Sequence, residues 1–142
     1  MRVRQATRTD IDAIIAVDRE AARDENRRRH IREWVSGASA FVAMVDDAVA
    51  GYAVLEYTFF SQGFISMLIV AETSRRKGVG TALVSHLEAI CKTGKLFTST
   101  NESNEPMKAL MQRMSYERSG IVHNLDDGDP ELFFFKKLEA NR

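Results

Sequence analysis

The sequence predicts a three-layer α/β protein, a mixed central β-sheet flanked by helices. Three observations carry that expectation. Along the 142-residue chain the apolar residues alternate between helical and strand periods, in the order β-α-α-β-β-β-α-β-α-β-β. A nearly all-apolar run, FISMLIVA (Phe64 to Ala71), has the composition of a strand covered on both faces. A glycine-rich turn, a helix and another strand follow it, the arrangement that makes neighbouring strands parallel.

Taken in order, VRQAT (Val3 to Thr7) is the first strand. In TRTDIDAIIAVDRE, Thr9 is placed to cap a helix. Asp10 and Asp12 suit its positive end, and Ile11, Ile14 and Ile15 share one face. DENRRRHIREWV is a second, very polar helix, with a narrow apolar face of Ile31, Trp34 and Val35. AFVAMVD (Ala40 to Asp46) is a strand, Asp46 and Asp47 turn the chain, and Ala48 to Phe60 form a long strand. After SQG comes the apolar strand from Phe64. Gly78 to Lys92 returns to helical period, with Val79, Leu83, Leu87 and Ile90 as its stripe. KLFTST (Lys95 to Thr100) is a strand. NEPMKALMQRM is a helix with Asn104 near its cap and Met107, Leu110, Met111 and Met114 on one face. YERSGIVHN and ELFFFKK bracket LDDGDP as a closing hairpin, with Asp127 and Gly128 as its turn.

The 20 basic and 20 acidic residues cancel, so no global basic field gathers nucleic acid, and an anion site must be local. No apolar run approaches the ~18–20 residues of a membrane span, so no membrane partner is expected. The first residues lack the apolar core and cleavage pattern of a secretory signal. Cys91 is the single cysteine and cannot form an internal disulfide, which makes a reducing, cytoplasmic location the default. It falls on an apolar stripe and reads as a packing residue. His30, His86 and His123 are scattered without metal-ligand spacing, so no metal is expected. With no repeat, low-complexity tract or long linker, residues 1–142 read as a single domain.

The most informative stretch is SRRKGVGTAL, Ser74 to Leu83. It follows an apolar strand and starts a helix, where unpaired N–H groups and the positive end of the macrodipole favour an anion. Gly78 and Gly80 let the backbone turn tightly, and Arg75, Arg76 and Lys77 add charge. The Walker pattern fails, because Thr81 and Ala82 follow the second glycine. The dinucleotide fingerprint fails at Leu83. A basic helix start without a ligand is the plain alternative.

Arg75-x-x-Gly78-x-Gly80 matches the [RQ]-x-x-G-x-[GA] motif of the GNAT acetyltransferase superfamily, and the chain resembles that family more widely. Leu68 to Val70 stand where the preceding strand ends, Asn104 opens the next helix, and the element order agrees from Val3 to Lys137. The resemblance implies acetyl-CoA as co-substrate. Its pyrophosphate would lie on the turn made by Arg75, Arg76, Lys77, Gly78, Val79 and Gly80, with Thr81 donating to a phosphate oxygen. The pantetheine arm would run along Leu68, Ile69 and Val70 and enter a splay between that strand and Lys95 to Thr100. Asn104 would bind the arm or order the strand end, and Met107 and Met111 would flank it.

Acyl transfer to an amine needs a base, an oxyanion donor and alignment. The resemblance places the oxyanion donor among the backbone N–H groups near Leu68 or Ile69. Many family members carry a glutamate on the strand before the turn, where this chain has Ser66 or Met67. Glu56, a lone carboxylate in GYAVLEYTFF, is the substitute base, with a surface glutamate or a water-mediated route as alternatives. The family's tyrosine acid falls at Met111. Tyr116, Tyr57 and Ser103 are the candidate donors, Tyr116 also reading as a packing residue; a thiolate with a pKa near ~8.5 leaves without one.

RRRH (Arg27 to His30) reads as a solvated helix face, with CoA's outer phosphate as the sharper alternative. The acidic stretch Asn124 to Glu131 reads as a solvated turn that could also attract a cationic amine. Phe133 to Phe135 belong to the core or to a subunit interface, which leaves a homodimer open. The leading expectation is an N-acetyltransferase that moves acetyl from acetyl-CoA to a primary amine of a small molecule or protein, by direct attack in a ternary complex. A non-catalytic acyl-CoA-binding regulatory module is the alternative.

Overall fold

The structure, a computed structural model, describes residues 1–139. Its strands are β1 (Arg2–Gln5), β2 (Ala40–Val45), β3 (Ala48–Phe59), β4 (Gln62–Val70), β5 (Lys95–Asn101), β6 (Glu117–Val122) and β7 (Glu131–Lys137). Its helices are α1 (Ile11–Val17), α2 (Glu25–Ser36), α3 (Val79–Ile90) and α4 (Glu105–Arg113). The elements follow one another in the predicted order. The strands form one seven-stranded sheet, β1-β2-β3-β4-β5-β7-β6. It is mixed: β4 and β5 run parallel, and β1–β2, β2–β3, β5–β7 and β6–β7 run antiparallel. Among the described residues no helix is long and apolar enough to cross a membrane.

The chain divides into two compact units, Met1–Leu55 with Met67–Ala89, and Glu56–Ser66 with the chain from Ile90 onward. Strands β3 and β4 each contribute to both.

In the first unit, Ile14 of α1 and Ile31 and Val35 of α2 are buried with Val42, Tyr52 and Val54 of the sheet. The strand buried along a continuous run is β3, from Ala50 to Leu55. This corrects the expectation for the apolar strand, since Met67 to Val70 of β4 are only half-buried. The stripe of α3 is buried at Val79, Leu83 and Leu87, while Ile90 at its end is exposed. Gly51 brings the backbones close: a Cβ there would meet the Ile69 carbonyl oxygen at 2.6 Å and Val79 Cγ1 at 3.1 Å. Asp46 and Asp47 turn the chain with φ of 51° and 62°, the mirror-image conformation that suits strand twist.

The first helix starts differently from expectation. Thr7, not Thr9, precedes a 3-10 turn over Arg8–Asp10. Asp10 accepts the Thr7 backbone N–H at 2.7 Å and both guanidinium nitrogens of Arg4 at 2.8 and 3.0 Å. That carboxylate, on the near side of the turn, decides which threonine caps. The Arg4 hydrogen bond, aided by the Thr7 N–H and opposed by burial, lowers the Asp10 pKa to about 2.

In the second unit, β4 pairs with β5 over Gly63–Ile65 and Leu96–Thr98. Leu110 and Met111 of α4, Leu96 of β5 and Leu132 and Phe134 of β7 are buried. Phe59, Phe64, Phe97 and Phe133 form an aromatic cluster with ring centroids 4.9–6.2 Å apart. The β3–β4 turn is made by Phe60 and Ser61, at φ of 52° and 63°. Residues 123–130 connect β6 to β7 as a longer loop than a two-residue hairpin, and within it the expected turn at Asp127 and Gly128 forms, closed by the Asp129 N–H donating to the Asp126 carbonyl at 3.2 Å, with Gly128 at φ 72°. Asp126 accepts from the Asn101 amide at 2.9 Å, and Asp129 accepts from the backbone N–H and hydroxyl of Ser103 at 3.0 and 2.6 Å. These bonds tie the loop to Asn101 at the end of β5 and to Ser103 ahead of α4.

Candidate active site

The basic turn lies wholly in the first unit. After β4 ends at Val70, the Ala71 N–H donates to the Ala50 carbonyl at 2.7 Å. A 3-10 turn over Glu72–Ser74 follows, and Arg75 is extended. The backbone then takes positive φ twice, 65° at Arg76 and 80° at Gly78. A Cβ on Gly78 would meet nothing within 4 Å, so the φ and not the space requires glycine there. The first hydrogen bond into α3 runs from the Ala82 N–H to the Gly78 carbonyl at 3.0 Å. The N–H groups of Val79, Gly80 and Thr81 precede it and have no acceptor within the helix. Val79 is buried and anchors the turn, while Arg75, Arg76, Lys77 and Thr81 are exposed. Leu68, Ile69 and Val70 are half-buried on β4. A helix start with backbone N–H groups and three cations is an anion cradle.

The other predicted site residues lie in the second unit. Glu56 is half-buried, and its Oε1 accepts the Ser66 hydroxyl at 2.5 Å. Asn104 Oδ1 accepts the Met107 N–H at 3.2 Å and so caps α4. Met107 is half-buried and Met111 fully buried. Tyr116 is buried, with Lys136 Nζ 5.4 Å from its ring centroid, an environment that fits packing. The Tyr57 hydroxyl accepts the Lys92 N–H at 3.0 Å, and burial raises its pKa. Glu102, Ser103, Glu105, Lys108, Gly128 and Asp129 line an open cleft of about 570 Å³.

One cluster was not foreseen. Asp18, 2% exposed, accepts the Tyr52 hydroxyl at 2.5 Å, Arg27 at 2.9 Å and the backbone N–H groups of Glu20 and Ala21. Arg27 also pairs with Glu20, so it is not on the solvated face expected for RRRH. Burial, then Asp18, pushes the Tyr52 phenol pKa up. The sequence held one signal: an acidic residue directly after a helix has the wrong sign for the macrodipole and calls for a partner.

The cradle and the mixed sheet agree with a match to the acetyltransferase (GNAT) family over residues 8–116. The chain belongs to that family. This GNAT acetyltransferase is 27% identical over 148 residues to an N-alpha-acetyltransferase of Sulfurisphaera tokodaii, covering 90% of this chain and 87% of the relative. It superposes on a GNAT-family acetyltransferase of Bacillus cereus with a TM-score of 0.91, at 35% identity and 97% coverage of both chains. An aminoglycoside 6'-N-acetyltransferase complexed with coenzyme A shares the fold at a TM-score of 0.84 and 15% identity, covering 100% of this chain and 99% of the other. The chain is therefore an acetyltransferase enzyme, and acetyl-CoA is its family's donor.

Proposed function

We propose that this enzyme transfers acetyl from acetyl-CoA to the α-amino group of a polypeptide N-terminus, by direct attack in a ternary complex. The donor half rests on one observation: positive φ at Arg76 and Gly78 opens α3 beside three exposed cations. The acceptor half is supported by relatives from Sulfurisphaera tokodaii and Saccharolobus solfataricus that are named N-alpha-acetyltransferases. Residues 1–142 act as one catalytic domain, a reading supported by a family match that runs through both units. The lone buried thiol of Cys91 suits a reducing, cytoplasmic setting.

In this proposal the pyrophosphate rests on the N–H groups of Val79, Gly80 and Thr81, with Arg75, Arg76 and Lys77 adding charge. Leu68 to Val70 offer backbone groups to the pantetheine arm, and an N–H near Leu68 or Ile69 stabilises the oxyanion. Asn104 Oδ1 caps α4, so its side-chain NH₂ is the group that donates to the arm. Met107 flanks the arm and buried Met111 supports the helix. Glu56 takes the proton of the attacking amine.

Calorimetric titration with acetyl-CoA, and mass spectrometry of peptides after incubation with the donor, test the two halves. Gly78→Val should weaken acetyl-CoA about tenfold or more, because a branched side chain at this φ strains the turn by over ~1 kcal/mol. Acetyl-CoA binding unaffected by Gly78→Val would remove the cradle. Acetylation of lysine side chains or free polyamines, with none on peptide α-amines, would overturn the acceptor.

A further inference from the structure

We infer that Ser66 is a catalytic residue, a hydroxyl relay that carries the acceptor amine's proton to Glu56. The inference rests on the proposed function and deepens it. A serine hydroxyl has one proton to give and two lone pairs to offer. Here the proton is directed at Glu56 Oε1, 2.5 Å away. The lone pairs are left to accept from an N–H, which is what an attacking amine brings. Ser66 also directly precedes Met67 on β4, two residues before Leu68, so it adjoins the segment assigned to the acetyl group. Both members of the pair are half-buried, neither sealed in the core nor wholly in solvent.

The nearby Thr98 hydroxyl differs. It is buried and donates to the Ile65 carbonyl at 2.9 Å, an acceptor that cannot take up a proton at neutral pH. A second serine–glutamate pair, Ser99 with Glu131 at 2.7 Å, links β5 to β7 and serves as an internal comparison.

The step balances as follows. The amine nitrogen bonds to the thioester carbonyl carbon, and one N–H proton passes to Ser66 Oγ as the Ser66 proton passes to Glu56. The C–S bond then breaks, CoA leaves as a thiolate, and the proton on Glu56 returns through solvent to that thiolate. The products are an amide and CoA thiol, with Ser66 and Glu56 restored.

The test is the pH dependence of kcat on a peptide with a free α-amino group for Ser66→Ala, Ser66→Thr, Glu56→Gln and the Ser66→Ala/Glu56→Gln double variant. The relay predicts a fall of about 100-fold for each of Ser66→Ala and Glu56→Gln. The acid limb should be lost in both, with no further loss in the double variant. Ser66→Thr keeps the hydroxyl and should retain most activity. The Kd for acetyl-CoA should stay within about twofold in all of them, and Ser99→Ala should keep the acid limb. Wild-type kcat in Ser66→Ala with loss in Glu56→Gln would overturn the relay and leave Glu56 as a direct base. Loss of the acid limb in Ser99→Ala or Glu131→Gln alone would assign the base to the other pair. A wild-type enzyme that acetylates no peptide would instead fail the proposed acceptor. The relay is then tested on whichever amine the enzyme does acetylate, where Ser66→Ala should again lower kcat, and wild-type kcat in Ser66→Ala overturns it.

Discussion

Asp18 and Glu56 are both carboxylates withdrawn from bulk water, and they are held in opposite ways. Asp18 is sealed, with Arg27 neutralising it and Tyr52 and two backbone N–H groups filling its lone pairs. Glu56 is half-buried, and among the described residues its hydrogen-bond partner is the Ser66 hydroxyl. A carboxylate saturated by donors is fixed in place and fixes structure. One engaged by a single neutral hydroxyl keeps lone pairs for a further donor. The number and charge of donors, more than burial, separate the two roles.

The largest expected effect comes from breaking the saturated site. Asp18→Ala leaves Arg27 and the Tyr52 hydroxyl without their buried acceptor and should lower unfolding free energy by about 3 kcal/mol or more. Tyr52→Phe removes one donor and should cost about 1–2 kcal/mol. Denaturant unfolding measures both, and a loss under ~1 kcal/mol for Asp18→Ala would erase the contrast.

Asp10 tests the same principle through pH. Its pKa is about 2 in the folded protein against an ordinary value of 3.8. A depressed pKa contributes stability that is fully present above 3.8 and is lost as pH falls through about 2. With Arg4 partly exposed and screened, the contribution should be about 1 kcal/mol. Unfolding free energy followed across that window should lose this slope in Asp10→Asn. The smallest effect should come from Glu56→Gln, with stability changed by no more than about 0.5 kcal/mol. A loss as large as that of Asp18→Ala would make Glu56 a second structural lock.

Much of this was legible in the sequence because it is periodic or local. The element order followed from apolar spacing, and Asn104 lies three residues from the N–H it caps. The cradle was legible because glycine and cations fall within one short turn. The Asp18–Tyr52–Arg27 cluster was not, because Tyr52 stands 34 residues from Asp18 and neither spacing nor propensity encodes that meeting. The Glu56–Ser66 pair hid for the same reason, joined only when β3 turns back at Phe60 and Ser61, two residues that composition would not choose for positive φ. Thr7 as the cap is not legible in the sequence, because the carboxylate that accepts its N–H is itself held by Arg4 on β1.

Gly51 carries a consequence for reading natural variation. It belongs to no ligand motif, yet an added methyl group there would run into the Ile69 carbonyl and crowd the Val79 side chain. Ile69 precedes the cradle on β4, and Val79 is part of it. A homologue could keep every residue from Arg75 to Thr81 and still be a poor CoA binder if it carried alanine at this place. Screening relatives by the motif alone would count such a protein as active, whereas including this one glycine would set it apart.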